Sequence, residues 1–230
     1  MLSTDEQASL TKACSALPPS DKVPVFEENY VLHLVAMALD FQLQQETVDK
    51  ARKHFDLNHS FDSHVKLRAH LGKFDNSKDG NLQLARSLWG NNHWTRAAYL
   101  RALVERFEER GIDSLITLSN WASNAEFKSD VEGQFKIKDP DTERVTHSMG
   151  YTMFQYLRLR TGHDTVKPDS NVLTFVESAI RRKPTTAECV QGIEAAAKLV
   201  GRSARALDAA IYRPPAGLKS TRRAHQTVAK

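Results

Sequence analysis

Asp169 is the residue of this sequence best placed to do chemistry. It follows Pro168 and precedes the apolar helical run that begins at Val172, so it stands where a helix opens. A carboxylate at a helix N-terminus accepts backbone N–H bonds, which favour its ionised form. The same position also suits a plain helix cap, worth about 1 kcal/mol. Other reactive types are less promising. His54, His59, His64 and His70 are spaced by five, five and six residues, which puts them on no common helix face, and zinc sites pair their ligands more tightly. Cys14 and Cys189 are the two cysteines, too few for a disulfide framework or a four-cysteine metal cluster. No metal and no cofactor is expected. Trp89 and Trp94 flank a Gly-Asn-Asn-His turn, where an aromatic face could stack on a base or be part of the core.

These residues need a scaffold, and 230 residues with 40% hydrophobic and 26% charged side chains are enough for a real core. No run of about 18 apolar residues exists to span a membrane. The N-terminus has neither the basic start nor the apolar centre of a secretion signal, and the reading is a cytoplasmic, reduced chain, nucleoid-associated in a bacterium. The net charge of +4 includes +5 from residues 213–230, leaving −1 for the rest. A basic tail of this kind suits phosphate binding without sequence preference, or is a solvated end.

The spacing of apolar residues predicts an all-α fold. Helices are expected over residues 4–16, from Phe26 to Phe41, from about Glu46 through Phe55, over Leu82–Leu88, Thr95–Arg110, Ile112–Trp121, 170–180, from Thr185 or Thr186 up to Gly201, and a last one beyond Gly201 through Ile211. The second is apolar on nearly all sides, as the centre of a bundle is. Residues 54–80 read as one short helix and a loop. In the helix from Thr95, Arg96, Arg101, Glu105, Arg106 and Glu108 are expected outward. The polar stretch from Ser123 to Glu143 contains Gln134-Phe135-Lys136-Ile137-Lys138, which alternates as a small strand does. A further helical stripe runs through Val145, Met149, Thr152, Met153, Tyr156 and Leu159, and Gly162 stands where a helix end wants a left-handed backbone.

Three stretches, in order, are similar to the helix-hairpin-helix DNA glycosylases, the superfamily of endonuclease III and the alkylpurine glycosylases. Leu39 to Ala51, with Gln42-Leu43-Gln44-Gln45 and Val48-Asp49-Lys50-Ala51, resembles that family's buried helix, Ser-x-Gln turn and Val-x-Lys-Ala helix. Leu88 to Leu100 is similar to its Gly-x-x-x-x-Lys-Ala turn and helix. Thr146 to Val172 is similar to its Gly-x-Gly-x-x-Thr-Ala hairpin, helix and helix-opening Asp.

The resemblance implies a two-lobed helical bundle: residues 26–40 and 142–212 packing with 1–25, residues 41–122 forming the other lobe, and 213–230 a basic tail. It implies a monomer that acts on double-stranded DNA and cleaves the N-glycosidic bond of a damaged, flipped-out base, with Asp169 stabilising the sugar cation. Tyr151, Trp89 and Trp94 would line or stack on the base. Gln42, or Gln44 or Gln45 beside it, would fill the gap left in the duplex. Ser148, Gly150 and Thr152 of the hairpin, Arg181 and Arg182, and the tail's Arg222 and Arg223 would meet the DNA backbone. Three departures stand out. No lysine lies between Glu143 and Gly162, where bifunctional members carry an amine nucleophile, so lyase activity is not expected. His147-Ser148-Met149-Gly150 lacks the hairpin's first glycine, and the four-cysteine iron–sulfur loop is missing. The alternatives are an inactive DNA-binding protein of the same fold and a helical interaction module.

Overall fold

The computed structural model of the chain describes residues 1–19, 29–39, 43, 45–139 and 142–212, with Gln45 as backbone alone. Among these residues it is predominantly helical, with one two-stranded sheet. The elements are α1 (Thr4–Ser15), α2 (Tyr30–Leu39), α3 (Gln45–Asn58), α4 (His64–Leu71), α5 (Lys78–Trp89), α6 (Trp94–Glu108), α7 (Leu115–Asn124), a π turn (Phe127–Val131), β1 (Lys136–Lys138), β2 (Val145–Ser148), α8 (Tyr151–Arg160), α9 (Ser170–Ile180), α10 (Thr186–Val200) and α11 (Ala204–Tyr212). No helix among the described residues is long and apolar enough to cross a membrane.

The elements fall into two compact units. One joins α1 to α9, α10 and α11; the other is the middle of the chain, α2 to α8 with the hairpin. This corrects the expected lobes, because α2 and α8 belong with α3 to α7 rather than with the chain ends. The cause is the all-round apolar surface of α2. Val31, Leu34, Met37, Ala38 and Leu39 are fully buried, and α2 satisfies its faces against α3, α4, α6 and α8.

In the middle unit, Trp121 packs edge to face on Phe107 and on Phe154, and Phe135 lies tilted against Phe107, around the ends of α6 and α7. Residues 54–80 hold more helix than expected: α3 runs on to Asn58, α4 is capped by Ser63, and α5 starts at Lys78 under a Ser77 cap. Polar composition hid these starts, although serine caps are their ordinary signal. Two arginines of α6 face inward, against expectation. Arg101 is 5% exposed and donates to the carbonyls of Leu71, Phe74 and Asp75 at 3.1, 3.1 and 3.3 Å and to Asn81 Oδ1 at 3.4 Å. It therefore closes the C-terminal end of α4 and the turn after it. Arg96 is also 5% exposed.

Residues 145–148 form β2 rather than the start of a helix. They pair antiparallel with β1, Ile137 opposite His147, with an irregularity between Ile137 and Lys138. The polar arm is thus a π turn and a β-hairpin inserted between α7 and α8, and the alternating segment is its first strand. Gly162 has φ of +99°, the left-handed turn expected after α8.

Burial also sets an acid sensitivity. His33 is fully buried, its ring nitrogens have no partner among the described residues, and burial, helped by Arg52, holds its imidazole down to about 4. The unfolded imidazole titrates near 6.5. The stability gained by keeping His33 neutral is complete above that pH and is lost as pH falls through 6.5 toward 4. From pH 7 to 4.5 this group alone removes about 2 to 3 kcal/mol. Urea midpoints should fall over this range, and His33→Leu should flatten the fall; an equal slope in both proteins would refute the assignment.

Candidate functional site

Asp169 caps α9. Its Oδ1 accepts the N–H groups of Asn171 at 2.9 Å and Val172 at 3.2 Å. Its Oδ2 makes no hydrogen bond among the described residues, and the side chain is half-buried. One oxygen is anchored by the helix while the other is left to act on something else. Beneath it lies Cys189 of α10, fully buried, its thiol pushed up to about 12 by burial and by the nearby charges of Asp169 and Asp208. A thiol so protonated is not a nucleophile. Cys14 is likewise buried and free.

Arg181 and Arg182 stand at the other end of α9, some 11 residues and about 17 Å of helix away from Asp169. Arg181 is exposed and takes a left-handed conformation, φ +60°. Arg182 is engaged elsewhere: it meets Glu6 at 2.6 and 3.1 Å and Glu188 at 3.0 and 3.2 Å. Hydrogen bonds from Arg182 and from backbone N–H groups hold both carboxyls down to about 2. A guanidinium neutralised by two carboxylates has little left for a phosphate, so Arg182 is corrected from a DNA contact to a tie between α1 and α10.

In the middle unit the hairpin residues form a continuous junction. Ser148 ends β2, Gly150 is the N-cap of α8, and Tyr151 and Thr152 begin the helix. Tyr151 is half-buried with its ring perpendicular to Phe127 at 5.3 Å. Gly150 has φ −80° and ψ 173°, and a Cβ built there meets nothing within 4 Å, so neither backbone nor packing demands a glycine. No side chain caps α8; α6 likewise starts uncapped, at His93, whereas α1, α4, α5, α7, α9 and α10 all have side-chain caps.

The flanking tryptophans separate. Trp89 is 2% exposed and lies in the core with Leu84, Ala85 and Leu88, which corrects its reading as a stacking residue: it continues the buried stripe of α5. Trp94 is half-buried, with Lys78 Nζ 5.6 Å from its ring centre. Gln42, Gln44, Arg222 and Arg223, and the side chain of Gln45, lie outside the described residues.

Two features of the structure are not foreshadowed by the residue spacing. His147 turns inward, its ring 6.1 Å from that of Tyr99, and burial with Arg96 beside it holds it down to about 4. Nothing in the local sequence signals this, since Val145, two residues earlier on the strand, is 51% exposed. His54, His59 and His70 converge on Ser87: the first two lie 3.2 and 2.9 Å from its carbonyl, and His70 Nε2 lies 3.2 Å from its Oγ. They close the end of α5, and no group of three metal-ligating side chains occurs among the described residues.

A family model described as a domain of unknown function (DUF8548) matches residues 35–215. The chain belongs to that family, and the match takes in Asp169 and the β2–α8 junction while leaving α1 outside. No curated protein and no solved structure matches the chain.

Proposed function

We propose that the chain is a monofunctional DNA glycosylase that excises a damaged base, with Asp169 as the carboxylate that stabilises the departing sugar's positive charge. The observation that carries this reading is the half-committed carboxylate: one oxygen is fixed by two backbone N–H groups and the other is unbonded among the described residues. Fixed charge of this kind is what oxocarbenium chemistry uses, because it needs no reorganisation as the charge develops. The start of α8, where the N-cap Gly150 places no side chain in the way, supports the DNA half of the proposal, since a helix dipole suits a phosphate. Gly150, which the fold itself does not require, suits a backbone that a phosphate approaches closely. Base release from duplexes carrying alkylated, deaminated or oxidised bases tests the reading directly.

Gly150→Asp separates DNA contact from folding. An aspartate caps a helix at least as well as glycine, so stability should hold or rise by a few tenths of a kcal/mol. The new carboxylate would face the bound phosphate, and affinity for a duplex at low salt should drop at least about tenfold. Fluorescence anisotropy reads this, and unchanged affinity would remove the phosphate grip from the proposal.

The β-hairpin between α7 and α8 favours a second reading, a DNA-binding protein without base release. The arm of more than 20 residues between Asn124 and Tyr151 has no counterpart in the glycosylase pattern that the sequence resembles. Binding that weakens steeply with salt, together with no released base on any substrate, would select this reading.

A further inference from the structure

A groove on the chain-end unit is lined by none of the residues used above for DNA. Its walls are α1 and α10, which run parallel. Arg182 ties Glu6 to Glu188 at their N-terminal ends, and Arg202 donates to the carbonyls of Leu17 and Pro18 at 3.0 Å each beyond their C-terminal ends. The helices approach closely at Gly192, where an added Cβ would come within 2.7 Å of Leu2 and 2.9 Å of Leu10. Gln7 Nε2 donates to the Gly192 carbonyl at 3.0 Å. Small residues along the floor, Ala8, Gly192 and Ala195, leave an open volume of 880 Å³. That falls within the few hundred to about 1,000 Å³ of small-molecule sites.

The lining is mostly apolar, with Leu2 at one end and Leu199, 70% exposed, toward the other. Lys12 is the single charged side chain among the lining residues, no acidic one joins it, and it has no ion-pair partner among the described residues. The chain's amino group, at the far end, is 3.7 Å from Glu188. α1 lies outside the span that the family model matches, so half of this groove is not accounted for by family membership.

We propose that the groove binds a small amphiphile carrying one negative charge, of the medium-chain carboxylate class, with its head at Lys12 and its chain along Ala8, Ala195 and Leu199. Apolar floor and lone cation together select this chemistry. A neutral apolar ligand leaves Lys12 unused, a cation meets repulsion, and a polar anion gains nothing from the floor.

The probes are decanoate and decanol, both below the concentration at which they self-associate, added to the full chain and followed by amide chemical shifts. Decanoate should give saturable shifts at Ala8, Thr11, Ala195 and Leu199. Lys12→Glu should weaken decanoate by about fivefold or more, the scale of losing and reversing a partly exposed ion pair, and leave decanol unchanged. Ala195→Phe, which fills the floor, should abolish both while the remaining spectrum stays folded. Absence of saturable shifts, shifts clustered elsewhere, or an equal response of the two probes to Lys12→Glu would each overturn the proposal. None of these outcomes touches the Asp169 reading.

Discussion

Asp169→Asn should fold as the wild type does and release damaged base at least about a hundredfold more slowly, the usual cost of removing one preorganised electrostatic group from a reaction centre. Asparagine is the informative replacement because it caps a helix as well as aspartate does. It can keep the bonds that Asp169 Oδ1 accepts from Asn171 and Val172, so α9 should start unchanged. What it loses is the negative charge. Asp169→Ala would confuse the two effects by also costing about 1 kcal/mol of capping. The measurement is single-turnover base release on a panel of modified duplexes, with thermal melts alongside. Equal rates for wild type and Asp169→Asn on a substrate that the wild type processes would show that the carboxylate is a cap and nothing more. No release by either protein on any substrate would leave DNA binding as the function to test.

The largest loss of stability should come from Arg101→Met. The side chain keeps most of its length and apolar stem, so packing against α4 and α5 changes little. The four acceptors it serves, three of them backbone carbonyls at the end of α4, lose their donor together. Unsatisfied buried carbonyls cost about 1–3 kcal/mol each, and water can reach some of these, so a net loss of about 3 kcal/mol is expected. Urea denaturation checks it. A change below about 0.5 kcal/mol, the range of an ordinary surface substitution, would mean that solvent already serves those carbonyls.

The class of fold was legible in the sequence because helical periodicity is a local property. α1, α6, α9 and α10 lie within a residue or two of their expected limits, and Thr185 with Glu188 forms the capping box that their spacing announced. What misled was information that is not local. Arg96 and Arg101 sit at positions that a charged residue ordinarily gives to solvent, and Arg101 turns inward because α4 ends in front of it. The stripe from Val145 to Leu159 fits a helix on spacing alone, but strand β1 offers residues 145–148 hydrogen-bond partners that periodicity cannot register. Trp89 gave the same ambiguity in composition whether it faced a ligand or the core. Of the candidate site, Asp169 and its cap were readable from Pro168-Asp169 and the following run. The engagement of Arg182 was not, since Glu6 stands 176 residues away in sequence.

The union of α1 with α10 makes the order of synthesis matter. α1 is complete once Ser15 has been made, whereas Gly192, which receives it, follows some 170 residues later. At the usual pace of 5–20 residues per second, that is roughly 10 to 30 s of translation. Once Lys167 has been added the middle unit is complete in sequence, while Leu2 and Leu10 still wait for α10. A nascent chain halted after α8 has left the ribosome and before α10 has done so should accordingly protect α2 to α8 from protease and leave α1 open to cleavage.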